Sequence, residues 1–326
     1  MRHFCLMTSE NYIAKAIVMY ESLLKQYGSE FRLYYFCFDD KTYDYLLKAD
    51  YTNIIPISMK EWEDPELLKV KNSRTLSEYF FTTTGSLILY VFKKFKVDMC
   101  IYLDADLYFY DSPEVLIDEM GNSTIMITEH RYADPELLFI HGKYCVQFIP
   151  VRNDENGHKI LNWWRNACID WCYMRSENGL WADQGYLNDW PTRFNGVHEL
   201  ENLGGGVASW NTPLYKFLKT TEGKFVLTEK RSKKKFNLIF FHFHGVRFFS
   251  NNYIYVENKS ADNVLIRHIY RAYIKHLILT AKNIKAIDNS IEPLGIIPST
   301  SKGWKKPFRF VKRKLSRHYI TGIRYI

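Results

Sequence analysis

Cysteine is scarce: Cys5, Cys37, Cys100, Cys145, Cys168 and Cys172 are all there is in 326 residues. That is too few for a disulfide-stapled scaffold of this length. No Cys-x-x-Cys pair of the kind a structural zinc site uses occurs, since Cys168 and Cys172 stand four apart. Core thiols are the expectation, because Cys5, Cys37 and Cys100 each sit in an apolar run where a reduced Cys acts as a small hydrophobe. No apolar stretch reaches the ~20 residues needed to span a bilayer. A signal-peptide core is absent too, the first apolar run being only Phe4-Cys5-Leu6-Met7. The expectation is a cytoplasmic chain, peripheral on the inner face of the membrane. Gly and Pro make no low-complexity linker, and there is no internal repeat.

Acidic residues are missing beyond Glu292. From Ser301 onward there are nine Lys or Arg, so the whole formal excess of +8 lies in residues 301–326 and the rest is nearly neutral. A neutral body offers no extended basic face, which argues against nucleic acid as a partner. The tail interleaves its cations with Trp304, Phe308, Phe310, Leu315, Tyr319 and Ile320. That pattern suits an anionic membrane surface, where each basic residue is worth about 1 kcal/mol.

What remains is ordinary for a folded protein, 47% hydrophobic and 25% charged, with a high aromatic share of 17%. Strand-like runs at 3–7, 31–38, 53–58 and 99–103 alternate with helical patterns at 13–27, 41–49 and 75–95. Further on, 125–128 and 144–151 read as strands, and 156–175 and 261–281 as helices. The fold class is therefore α/β, a mainly parallel Rossmann-like sheet flanked by helices. The expected organisation is a main domain over 1–250, in two halves that meet at about residue 110. A helical region (251–292) and the basic aromatic tail (293–326) follow.

Ligands of such sheets bind beyond the carboxyl ends of the strands. The fourth strand ends there in Tyr102-Leu103-Asp104-Ala105-Asp106. Two carboxylates flanking one small residue at a buried edge are costly unless paired, and a hard divalent cation pairs them. Such a cation also stabilises a departing diphosphate. The plain alternative is a helix cap, a role that Asp111-Ser112-Pro113-Glu114 fills better.

Four segments, in order, resemble the GT-A glycosyltransferases that use nucleotide-sugar donors, most of all family 8. They are Asn11-Tyr12 with Ser22-Leu23-Leu24, the Asp104-Ala105-Asp106 motif, Asp183-Gln184-Gly185-Tyr186-Leu187-Asn188, and His242-Phe243-His244-Gly245. The resemblance implies that Asp104, Asp106 and His242 hold Mn²⁺ or Mg²⁺ against the donor diphosphate, UDP-sugar being the donor type. It implies that residues 1–250 are the catalytic domain, with a nucleotide-sugar half to about 110 and an acceptor half beyond it. It implies too that Thr8, Asn11 and Tyr12 lie around the nucleotide, with Ala105 and Gly245 on the donor, and that Asp183 and Gln184 adjoin the transferred sugar as catalytic residues. The acceptor implied is a glycan or lipid-linked saccharide, in polysaccharide biosynthesis.

The chain departs from the family pattern at Ser9-Glu10, at Thr82-Thr83-Thr84-Gly85-Ser86, at Cys145 and Gln147, and at Arg247-Phe248-Phe249, where Arg247 is the candidate phosphate contact. These departures leave the stereochemical outcome open. Strand alternation puts His242 and His244 on one face, with His242 preferred as ligand. Trp163, Trp164 and Trp171 read as packing, Trp181 and Trp190 as candidate acceptor-groove walls, His130 as an acceptor-side candidate, and Gly204-Gly205-Gly206 as a flexible loop. Two other functions fit parts of the pattern. A sugar-phosphate nucleotidyltransferase shares the sheet and metal chemistry but needs a Gly-rich first loop that is missing. A non-catalytic membrane-surface protein would use the carboxylates structurally.

Overall fold

The computed structural model describes residues 1–220, 224–257, 264–298 and 319–320. β1 (Arg2–Thr8) passes through a short turn into α1 (Ile13–Tyr27), which Gly28 ends at φ +80°. β2 (Phe31–Cys37), α2 (Asp40–Ala49), β3 (Ile54–Ser58), α3 (Met59–Trp62) and α4 (Pro65–Lys71) follow. A capping box between Thr75 and Glu78 starts α5 (Leu76–Phe95), which leads to β4 (Met99–Leu103). These four strands are parallel in the order β3-β2-β1-β4.

The next stretch contains β5 (Leu107–Phe109), α6 (Glu114–Glu119), β6 (Ile125–Glu129), α7 (Glu136–His141), β7 (Tyr144–Cys145), β8 (Phe148–Arg152) and α8 (Glu155–Asp170). After α9 (Trp190–Arg193) comes β9 (Val197–Glu199). β8 extends the sheet antiparallel to β4, and β6 follows it, carrying β7 and β9. Beyond lie β10 (Val207–Ala208), a meander of β11 (Tyr215–Lys219), β12 (Phe225–Glu229) and β13 (Lys235–Asn237), then β14 (Phe240–His242), β15 (Arg247–Phe249) and β16 (Tyr253–Tyr255). A π-helical turn, Leu265–Tyr270, opens into α10 (Arg271–Ile287), and β17 (Tyr319–Ile320) pairs with β16.

Alternation along β1 divides the core in two. Phe4 and Leu6 face α1 and α10, while Cys5 and Met7 face α5 and α8. α10 is tied to α1 by Thr280 and His276, both on Glu21, and to α2 by Lys48–Asp288 at 2.6 Å. The C-terminal helix is thus built into the same body as the first strands. Residues 293–298 pack there as well: Ala14 N–H donates to Pro293 O and Ile297 N–H to Phe248 O. The basic residues of the expected tail lie outside the described residues.

Several expectations need correcting. The run 144–151 is two strands, broken by a turn at Val146-Gln147. The Trp-rich helix stops at Asp170, and the last helix runs on to Ile287. Trp190 is no groove wall: it is fully buried edge-on against Trp164. The triple glycine is tightly packed instead of flexible. A Cβ on Gly204 would lie 2.2 Å from the Asn237 carbonyl oxygen, one on Gly205 2.7 Å from Leu200, and Gly206 sits at φ +76°. Gly204 O also accepts from Ile239 N–H and Phe240 N–H, which sets the start of β14. Gly204→Ala should therefore cost about 1–3 kcal/mol, read as a lower urea midpoint.

Candidate active site

The site forms where two sheets meet. β4 delivers Asp104 just past its carboxyl end, anchored by Asp104 N–H donating to Gln147 O at 3.0 Å. The chain then turns, and β5 pairs antiparallel with β14 in the register His242↔Leu107. Phe243 N–H donates to Asp106 O at 2.9 Å. This pairing, between residues more than a hundred apart, brings an imidazole onto the acidic motif.

His242 Nε2 lies 3.0 Å from Asp106 Oδ1 and 3.6 Å from Asp104 Oδ2. The His242 side chain is 5% exposed, Asp106 10% and Asp104 25%, so the cluster opens to solvent on the Asp104 side. His242 Nδ1 donates to Gln147 Oε1 at 2.9 Å, which turns Nε2 toward the carboxylates. Burial opposes its charge, but Asp106 and Asp104 outweigh it and raise the imidazole's pKa, so that Nε2–H donates to Asp106 Oδ1. β14 ends at His242. His244 lies beyond it with 57% of its side chain exposed and Nε2 3.9 Å from Glu257. The two histidines do not share a strand face, and His242 is the one against the acidic pair.

The two carboxylates differ in charge preference. Burial, reinforced by the Asp106 charge, pushes the Asp104 carboxyl up to about 7, although His242 and the Tyr102 hydroxyl (3.1 Å) oppose this. Burial acts on Asp106 as well, but His242 and Lys15 outweigh it and hold that carboxyl well below the usual range. Burial likewise pushes Asp183 up to about 7, with the Asp104 charge adding to it and the Thr84 hydroxyl (3.0 Å) opposing. Trp164 Nε1 donates to Asp183 O, and Gln184 Nε2 donates to His141 O at 2.6 Å. Burial lowers His130 to about 3; its ring stacks on Tyr132 and stands edge-on to Trp210.

The remaining candidates are more scattered. Thr8 is buried, its hydroxyl paired with that of Tyr35. Asn11 and Tyr12 are exposed, and the Asn11 backbone lies against Gly295. Asp39 orders this loop by accepting from Glu10 N–H and Thr42 N–H, each at 2.7 Å. Ala105 is buried between the two Asp. Gly245 takes φ +78° against Glu257, and Arg247 is exposed at the start of β15. Trp181 stands edge-on to His141 at 4.5 Å.

Sequence reasoning missed Lys15. Its ammonium lies 3.7 Å over the Tyr12 ring and 3.9 Å from Asp106 Oδ2, on a residue 5% exposed. The available signal was a lysine set among Ile13, Ala14, Ala16 and Ile17, a turn with no other polar side chain. Gln147 had been noticed only as a departure from the family pattern. It is fully buried, so Gln147→Leu should weaken divalent-cation affinity about 10–100-fold, read by titration with Mn²⁺, with little change in melting temperature.

The fold defined by this sheet and site is that of the GT-A glycosyltransferases, a mixed α/β architecture around a mostly parallel sheet. The galactosyltransferase LgtC, solved in complex with donor and acceptor sugar analogues, superposes with a TM-score of 0.51 at 12% identity, covering 93% of this chain and 99% of LgtC. In sequence the chain is similar to two uncharacterised proteins of Bacillus subtilis strain 168. It is 29% identical to YfnD over 286 residues (84% of this chain, 88% of YfnD) and 26% identical to YfnF over 288 residues (84% and 92%). No family model matches the chain.

Proposed function

We propose that the protein is a metal-dependent glycosyltransferase of the family 8 type, moving a sugar from a nucleotide-diphosphate donor, a UDP-sugar, to a saccharide or glycolipid acceptor. The observation that carries this reading is the convergence of Asp104, Asp106 and His242 Nε2, within 3.6 Å, beyond the end of the fourth parallel strand. Two carboxylates and one neutral imidazole nitrogen fit Mn²⁺ or Mg²⁺. Bound there, the ion supplies electrostatic stabilisation of the diphosphate leaving group.

The chain's own residues do the rest. Lys15 adds a fixed positive charge beside Asp106, on the diphosphate side. The exposed Tyr12 ring offers a face on which a base can stack. Asp183, when ionised, stabilises positive charge developing at the anomeric carbon, while Gln184, tied to His141, orients the sugar. α7 supports a lipid-linked acceptor: Leu138, Phe139 and Ile140 are exposed, Phe139 by 85%, on the helix that Gln184 contacts.

The test is a panel of nucleotide sugars with Mn²⁺, read by release of nucleoside diphosphate. Slow hydrolysis of at least one donor, lost in Asp104→Ala, supports the reading. Pyrophosphate release from a nucleoside triphosphate would instead indicate a nucleotidyltransferase. The basic, aromatic sequence of residues 301–326 supports work at the inner membrane face. Replacing its nine Lys and Arg by Gln, which leaves β17 paired with β16, should therefore abolish sedimentation with anionic vesicles and leave donor hydrolysis intact. Undiminished sedimentation contradicts the membrane assignment.

A further inference from the structure

Cys145 is one of the chain's departures from the family pattern, and it lies beside Asp104 and His242. The residue ends β7, immediately before the turn at Val146-Gln147. Its side chain is 4% exposed and packs with Ala208 and Trp210, as a free thiol. One ligand atom from each of Cys145, Asp104 and His242 lies within 4.8 Å of the other two. Around a tetrahedral ion with bonds of about 2.0 Å to N or O and 2.3 Å to S, ligand atoms stand roughly 3.3–3.6 Å apart. Side-chain shifts of up to about 1–1.5 Å close that gap. Asp106, at 3.0 Å from His242 Nε2, lies on the oxygen-rich side of the same imidazole.

The site therefore presents two overlapping faces. Asp104, Asp106 and His242 suit a hard cation of high coordination number. Asp104, Cys145 and His242 form an O, S, N set whose thiolate favours borderline and soft ions over Mn²⁺ and Mg²⁺. We propose that Asp104, Cys145 and His242 form a binding face for a thiophilic divalent cation, Zn²⁺ or Co²⁺, which shares two ligands with the Mn²⁺/Mg²⁺ face and so excludes the ion there. Binding breaks the Cys145 S–H bond and forms a sulfur–metal bond. The proton passes to buffer, and no oxidation state changes. This rests on the reading of Asp104 and His242 as metal ligands, and it extends that reading to regulation: zinc competes with the ion that serves the diphosphate.

Cobalt reports the ligand set directly. Metal-free full-length protein is titrated with Co²⁺, and absorbance is followed in the visible and near ultraviolet. The expected result is intense tetrahedral visible bands together with a sulfur-to-cobalt charge-transfer band. In Cys145→Ser the charge-transfer band disappears, cobalt still binds, and zinc affinity falls at least about tenfold while Mn²⁺ affinity changes less than about twofold. Wild-type protein that binds cobalt without a sulfur band, or a Cys145→Ser variant with unchanged zinc affinity, overturns the proposal and leaves the metal-dependent reading intact. Failure of cobalt, zinc and Mn²⁺ alike to bind overturns both.

Discussion

Asp106→Ala is expected to lower sugar-nucleotide turnover at least about a thousandfold while the protein stays folded, as judged by circular dichroism. Asp106 meets His242 at 3.0 Å and Lys15 at 3.9 Å, and its carboxyl is the one that stays ionised in this cluster. On the proposed reading, removing it takes away a ligand of the diphosphate-binding ion and leaves His242 and Lys15 without the carboxylate they share. Loss of one preorganised electrostatic group at a reacting centre costs about 10²–10³ in rate, and weaker metal binding adds to that. The measurement is donor hydrolysis at saturating Mn²⁺. A variant within about threefold of wild type would remove Asp106 from the mechanism.

The second large effect has the opposite sign for its neighbour. Asp104→Asn should stabilise the metal-free protein at pH 8 while abolishing tight Mn²⁺ binding. The folded state raises the Asp104 carboxyl to about 7, chiefly through burial, so the native state takes up its proton more readily than the unfolded chain does. Stability then falls as pH rises from about 4 through 7, and above 7 the full penalty applies. One pKa unit is about 1.4 kcal/mol, which puts that penalty on the order of 4 kcal/mol. The neutral amide does not incur it. Urea unfolding in EDTA should give the variant a higher midpoint at pH 8, and the difference should fade by pH 4. With saturating Mn²⁺ the ranking reverses, because only the wild type gains binding energy in the native state. Equal midpoints in EDTA at pH 8 would mean that Asp104 is not under strain. On the proposed reading, function and stability pull against each other at this residue.

The fold was legible wherever local periodicity reports burial. β1 to β4 carry near-continuous apolar runs, α1, α2 and α5 are amphipathic, and all their bounds fall within a residue or two of the pattern, whereas the short helices α3 and α4 have no counterpart in it. Asp104 and Asp106 were legible because a buried strand ends on them. His242 was legible only through resemblance, since its approach depends on the register of β14 on β5, a long-range pairing without a local signature. The same limit hid Gln147. The run 144–151 reads as one strand, but the turn at Val146-Gln147 interrupts it, placing Gln147 O on Asp104 N–H and Gln147 Oε1 on His242. Lys15 was obscured by an apolar helix in which a cation looks like a solvated exception. Trp190 was misplaced because its neighbour Asp183 suggested a site, whereas period and size made it core. The glycines of 204–206 were judged from composition, and the reasons for them are the Asn237 backbone against Gly204, Leu200 against Gly205 and the positive φ of Gly206.

Calorimetric titration of UDP-sugars tests the central claim, that Asp104, Asp106 and His242 hold a divalent cation against a nucleotide diphosphate. The wild-type protein should bind at least one of them in the presence of Mn²⁺ and not in EDTA. Asp106→Ala should bind it in neither condition. Binding that is equally tight with and without Mn²⁺, or unchanged in Asp106→Ala, would contradict the account.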